Sequence, residues 1–112
     1  MSNIYRIKQG DIGRTYQAVL TDADGDPIDL TDADVKLIVR RRPGDVLLEE
    51  DATIVGDPTA GTVKYVWADG DTDTPGRYAA EFEVTWTASD RVTVPTRTPG
   101  IIEIVPKLNT EA

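Results

Sequence analysis

The chain has 112 residues, 39% of them hydrophobic and 29% charged, which is enough for one hydrophobic core and too little for two. Twenty acidic residues against twelve basic ones leave a net charge of −8, arguing against nucleic acid or an anionic membrane as partner, since such affinity comes from Lys and Arg releasing counterions. Histidine and cysteine are both absent, which removes Ser-His-Asp and Cys-His nucleophiles, imidazole or thiolate zinc sites and any disulfide framework.

The first residues, Met1 to Arg6, lack a basic stretch followed by an apolar run, so no secretory signal is expected, and Met1 reads as a natural start. No apolar stretch approaches the roughly 20 residues that span a bilayer. Synthesis in a reducing cytoplasm is therefore expected. From there onward the chain alternates in polarity with period two and shows no sustained helical period. Tyr5–Lys8 is a short candidate strand. Thr15–Thr21 places Tyr16, Ala18 and Leu20 on one face, and Val35–Arg41 does the same with Val35, Leu37 and Val39. Val46–Glu49 and Ala52–Val55 follow as two further short candidates. Thr62–Trp67 aligns Val63, Tyr65 and Trp67. The clearest run is Tyr78–Trp86, with Tyr78, Ala80, Phe82, Val84 and Trp86 expected in the core and Ala79, Glu81, Glu83 and Thr85 on the other face. Arg91–Val94 and the β-branched Ile101–Val105 close the series.

Turn chemistry separates these runs. Asp24-Gly25 and Asp69-Gly70 tolerate positive φ, while Pro43-Gly44, Asp57-Pro58, Pro75-Gly76 and Pro99-Gly100 combine a preset φ with a flexible partner. About seven to nine short strands at this spacing predict an all-β, antiparallel sandwich, with a small barrel as the second architecture. The domain is expected over residues 1–105, followed by a flexible tail at 106–112. Thr74-Pro75-Gly76-Arg77-Tyr78 resembles the tyrosine corner of immunoglobulin-like domains, and Ala80 stands where the disulfide cysteine would be, with Ala18 as a small facing residue. The fold class is thus an Ig-like sandwich without its disulfide. Leu37 or Val39 occupies the place of the third-strand Trp, which separates it from antibody domains.

Candidate chemistry is sparse. Asp22-Ala23-Asp24-Gly25-Asp26 and Asp69-Gly70-Asp71-Thr72-Asp73 carry carboxylates at alternate positions, as calcium loops do. Neither closes with the bidentate Glu of an EF-hand, because Ala33 and Ala80 fall at the twelfth positions, so solvated turns are expected and no metal. Glu81 and Glu83 form a carboxylate pair of the kind glycosidases use, but one Phe, four Tyr and two Trp leave too few rings to line a sugar cleft once the core is filled. No enzyme activity and no cofactor are expected. Arg40-Arg41-Arg42 is the basic cluster of an acidic chain. It reads either as an anchor for carboxylates on a neighbouring subunit or as a strand end paired with Glu49, Glu50 and Asp51 across a hairpin. An excess of Asp over Glu and of Arg over Lys fits either a halophilic source or a GC-rich genome.

In order along the chain, several motifs resemble one family. Lys8-Gln9-Gly10-Asp11-Ile12-Gly13-Arg14 resembles the "qGDtg" opening of the N-terminal Ig-like domain of phage baseplate upper proteins. Asp24-Gly25-Asp26-Pro27-Ile28-Asp29-Leu30-Thr31 is similar to that family's "dG.piDLtga", and Ala33-Asp34-Val35-Lys36-Leu37 to its "a.V.f" strand. Gly61-Thr62-Val63-Lys64-Tyr65 is similar to "G.v.y", Pro75-Gly76-Arg77-Tyr78-Ala79-Ala80-Glu81-Phe82 to "pG.Y.aeF", and Pro99-Gly100-Ile101-Ile102-Glu103-Ile104 to the closing strand. The resemblance runs from about Gln9 to Val105. It implies a structural protein of a tailed-virus virion, made in the host cytoplasm and placed at the tail tip or baseplate. Members use this module to attach to the tail's distal ring and to carry fibre or receptor-binding domains. At 112 residues this chain departs from them, which makes it a stand-alone adaptor or decoration subunit by expectation.

The expected partners are therefore other virion proteins, with homo-oligomers in the particle and no nucleic acid or membrane. Docking is expected through Met1–Gly10, the Arg40–Gly44 turn and the tail after Pro106, with Lys8, Arg40, Arg41, Arg42 and Lys107 as contact residues. A head or neck decoration or connector subunit is one alternative. A cell-surface adhesin-type Ig module is another, and it would need an export signal.

Overall fold

Among the described residues, eight strands and one 3-10 turn carry the alternation into three dimensions: β1 (Ile4–Lys8), β2 (Thr15–Val19), β3 (Asp34–Arg42), β4 (Asp45–Ile54), the 3-10 turn Pro58–Ala60, β5 (Thr62–Val66), β6 (Gly76–Thr87), β7 (Asp90–Val94) and β8 (Gly100–Val105). The computed structural model describes residues 4–42, 45–94 and 100–106, with Arg42 and Asp45 described by backbone alone. The larger layer runs β1-β8-β6-β3-β4, and the smaller one joins β2, β5 and the end of β4. β6 is long enough to serve three neighbours. One edge pairs with β3, and the other pairs first with β8 and then with β7.

β4 belongs to both layers. Val46–Ala52 pairs with β3, and Thr53 and Ile54 pair with β5, so the strand path is continuous from β1 to β2. The sandwich is in this respect nearly a barrel, closed at the seam between β1 and β2 by side chains instead of backbone. There the Tyr5 hydroxyl donates to the Thr15 carbonyl at 3.2 Å, and the rings of Tyr5 and Tyr16 meet at 4.8 Å.

Inward-facing residues fill the space between the layers. Leu37, Val39, Val63, Val84 and Ile102 are fully buried, and Trp67, Tyr78, Ala80, Phe82 and Ile104 nearly so. Leu30 is also fully buried and plugs the end of the sandwich after the Asp22–Pro27 turn. The tyrosine corner is present, with the Tyr78 hydroxyl donating to the Thr74 carbonyl at 2.8 Å. The architecture is the expected all-β, Ig-like sandwich without a disulfide.

Four expectations are corrected. First, the sheet is not wholly antiparallel, because β1 and β8 pair in parallel with Ile4 opposite Ile101. Second, Val46–Glu49 and Ala52–Val55 are not separate strands. Leu48, Glu50, Ala52 and Ile54 share one phase of β4, and Glu50 breaks the apolar pattern near the point where the strand passes between layers. Third, Trp86 is only half-buried. β6 runs past the start of β3 at Asp34, so Trp86 reaches the surface and its indole N–H donates to the Asp29 carbonyl at 3.3 Å. Fourth, the carboxylates expected opposite the three arginines stand elsewhere: Glu49, Glu50 and Asp51 face Ile38, Leu37 and Lys36, while Arg40 faces Val46 and Arg42 faces Asp45.

The acidic turns spend carboxylates on their own backbone. Asp22 accepts from the amides of Asp24 and Asp26 at 2.9 and 3.0 Å. Asp57 caps the 3-10 turn by accepting from the Thr59 amide and hydroxyl, and Asp29 accepts from Thr31 in the same way. These hydrogen bonds from hydroxyl and amide hold the Asp29 and Asp57 carboxyls below their ordinary range. A depressed folded-state value means the stabilisation is present above the unfolded value and lost as pH falls through the folded one. Acid unfolding monitored by circular dichroism should therefore steepen below about pH 4, and the Asp29→Asn, Asp57→Asn double variant should lose less of its melting temperature between about pH 4 and about pH 2. An unchanged acid slope would mean that neither cap contributes.

Candidate docking surface

One end of the sandwich gathers segments that are far apart in sequence. β1 and β8 both finish there, with Lys8 opposite Val105, and β6 begins there, with Gly76 opposite Ile104. The β3 hairpin arrives at the same end, because Arg40 lies opposite Ala79 and the Arg41 guanidinium donates to the Tyr78 hydroxyl at 3.1 Å. Arg41 also sits over the Tyr78 ring, 5.4 Å from its centroid. The one guanidinium thus makes both a hydrogen bond and a cation–π contact to the same tyrosine.

The loop between β1 and β2 is locked onto the loop between β5 and β6. The Gln9 amide donates to the Val105 carbonyl at 2.8 Å, and its side-chain nitrogen donates to the Asp73 carbonyl at 2.9 Å. The Gly10 amide donates to the hydroxyl of Thr72 at 2.8 Å, and Thr72, the buried polar residue of the described chain, donates on to the Asp11 carbonyl. Asp71 is committed as well, accepting from the Tyr65 hydroxyl and from the Ala68 amide at 2.8 Å. Burial first, and then the Asp71 carboxylate, push the Tyr65 phenol well above its ordinary value. The Gln9-Gly10-Asp11 motif and the Asp69–Asp73 turn thus form one interlocked structural unit. No cluster of three metal-ligating groups occurs among the described residues.

The structure places Lys8 at the end of β1 and Arg40 and Arg41 near the end of β3, with two strands between them and Arg40 level with Ile4 instead of Lys8. Lys8 is exposed and Arg40 half-buried. The backbone of Arg42 ends β3, while its side chain, Met1–Asn3, Pro43, Gly44 and Lys107 lie outside the described residues. Two shallow depressions open here. A groove of about 540 Å³ between β1 and β2 is lined by Tyr5, Arg6, Lys8, Asp11 and Arg14. A cleft of about 180 Å³ lies between Arg41, Val46, Leu47, Thr74 and Tyr78.

The opposite end differs in charge. Its loops, residues 20–33, 55–61 and 87–90, carry Asp22, Asp24, Asp26, Asp29, Asp32, Asp57 and Asp90 with no Lys or Arg. The end where β1, β3 and β8 finish therefore mixes exposed Lys8 and Arg41 with Asp11, Asp69, Asp71 and Asp73, while the loops of the opposite end hold carboxylates alone. Such an end suits bidentate capture of carboxylates on a protein surface. Glu81 and Glu83 lie on the outer face of the larger layer, opposite Ile38 and Lys36, and Glu83 pairs with Arg91 at 3.8 Å.

Sequence reasoning missed the aromatic seam and the Thr72 lock. Each joins residues some sixty positions apart: Trp67 with Tyr5, and Thr72 with Gly10. The Gln9-Gly10-Asp11 motif was the available signal, since it marked the loop that the lock holds.

No curated protein matches the chain. A sequence model of the BppU N-terminal domain matches residues 1–98. The match takes in β1 to β7 and stops before β8, so the resemblance of Pro99–Ile104 to a closing strand lies beyond it. Because most of its length is matched, the chain belongs to the family of N-terminal domains of baseplate upper proteins, structural proteins of the phage baseplate.

Proposed function

We propose that this chain is a non-enzymatic adaptor at the tail tip, docking onto neighbouring baseplate proteins through the end that carries Lys8, Arg40, Arg41, Arg42 and, beyond Val105, Lys107. Membership of the baseplate family over residues 1–98 is the observation that carries this reading. The charge distribution supports it, because Lys8 and Arg41 are exposed toward the end where β1 and β8 finish, whereas the loops of the opposite end carry carboxylates and no Lys or Arg. Exposed Arg41 beside the apolar rim of Val46 and Leu47, with exposed Lys8 at the end of β1, can engage acidic surface on a ring protein with little reorganisation. Edge and loop docking of this kind is how a sandwich without a deep pocket makes contacts. In this reading the chain is made in the host cytoplasm and ends in the virion.

The test is incorporation into particles of the Lys8→Glu, Arg42→Glu variant. Arg41 is left intact, since its guanidinium braces the tyrosine corner. The variant should fold as the parent does by circular dichroism and be lost from purified particles, while antibody on parental particles labels the tail tip. Normal incorporation would remove the docking role of this end. Label over the head or neck would replace the adaptor with a decoration subunit.

A further inference from the structure

The outer face of the larger layer has a charge order of its own. Arg6, Glu103 and Arg77 form one cross-strand row near the basic end, with Lys8 beyond it, and Arg6 and Arg77 share the single carboxylate of Glu103 at 2.8 and 3.9 Å. The next row is mainly apolar: Ile4, Ile101 and Ala79, then Arg40 and the exposed Val46. Beyond it the sign reverses. Glu81 and Glu49 flank Ile38, and Glu83 and Asp51 flank Lys36. Among the described residues Glu81 and Asp51 have no cation within 4.0 Å, and Arg40 and Lys8 no carboxylate. Arg77 is more than half exposed and has only the long contact to Glu103.

We propose that this face is a two-fold interface between copies of the chain, packed sheet against sheet with strands antiparallel. A two-fold axis crossing the strands at Ala79 turns the face end for end. It brings Arg77 of one copy to Glu81 of the other, and Glu81 back to Arg77, around the apolar midline row. Each contact occurs twice, as an isologous interface requires. Packed sheets cross at about 30°, which offsets the two Arg40 side chains from one another. The opposite relation, with strands parallel and the axis along β6, would set Arg77 against Arg77 and Glu81 against Glu81. The proposal rests on the chemistry of this face and not on the virion reading. The purified chain tests it, and particle incorporation tests the other.

Sedimentation of the purified chain should show a dimer that forms with rising concentration and weakens with salt. Arg77→Glu and Glu81→Lys, each alone, should raise the dimer dissociation constant by at least about tenfold. An equimolar mixture of the two should recover a discrete dimer, because each mutant face then meets its complement. The chain has no cysteine, so Ala79→Cys, sitting on the axis, should form a disulfide-linked dimer on oxidation, while Gln17→Cys on the smaller layer should not. A parent that sediments as a monomer at every concentration would overturn the proposal. So would a folded Ala79→Cys that resists cross-linking, or a mixture that grows into longer chains.

Discussion

Trp67→Ala should cost about 3–5 kcal/mol, a large share of the roughly 5–15 kcal/mol that holds a domain of this size together. Trp67 is 1% exposed and links three parts of the fold. Its ring stacks on Tyr5 with centroids 6.2 Å apart and meets Tyr65 edge-on at 5.4 Å, and its indole N–H donates to the Tyr5 hydroxyl at 3.2 Å. Tyr5 in turn closes the seam between β1 and β2, where no backbone ladder exists. Removing the indole opens a cavity under that seam and frees β1 on its outer edge. Urea unfolding followed by far-ultraviolet circular dichroism measures the loss. Hydrogen exchange should accelerate first in Ile4–Lys8. A loss below about 1 kcal/mol would mean that the seam is held by something other than this ring stack.

Gly61→Ala should be nearly as damaging for an unrelated reason. Gly61 ends the 3-10 turn with φ +72°, in the left-handed region that L side chains rarely adopt. A Cβ there would lie 2.8 Å from the Leu20 carbonyl oxygen and 3.2 Å from the backbone of Ile28. Both neighbours are backbone atoms held in place: the Leu20 amide donates to the Gly61 carbonyl at 2.8 Å, and the Ile28 amide donates to Leu20 at 2.9 Å. The methyl can be accommodated only by parting β2 from the turn beneath Leu30. Backbone strain alone accounts for about 1–3 kcal/mol, and the clash adds to it. Gly25→Ala is the matched control, with φ +88° and nothing within 4 Å of the added carbon. Thermal melts should place Gly61→Ala well below Gly25→Ala. Equal losses would show that strain, not close approach, governs both.

The two substitutions locate the stability in different links of the chain of causes. Trp67 acts through packing between distant strands, and Gly61 through the backbone of one turn. The same contrast appears at the basic end, where Arg41 is tied to the fold by Tyr78 while Lys8 is exposed. Docking tests should therefore spare Arg41 and alter its neighbours.

Much of the fold was legible in residue order alone. Tyr78, Ala80, Phe82 and Val84 face inward because side chains alternate along any strand, and the acidic turns form because Asp caps its own backbone. The tyrosine corner was readable for the same reason, since its hydrogen bond joins Tyr78 to Thr74 only four residues away. The family motifs were readable as well. The candidate site was legible in part: the Arg40–Arg42 cluster is contiguous in sequence and ends β3, with Arg42 opposite Asp45 of β4.

Tertiary structure decided the rest. The parallel pairing of β1 with β8 joins Arg6 to Glu103 across the length of the chain, and no local pattern encodes it. β4 reads as two strands because Glu50 interrupts its inward phase, yet it is continuous because both layers share it. Trp86 has the right phase for the core and still reaches the surface, since no layer covers β6 beyond Asp34. Polarity alternation and turn conformation are properties of neighbouring residues, so they survive in any context. Which edges meet, and which charges then share a face, depends on the register of strands distant in sequence, and only the packed core selects that register.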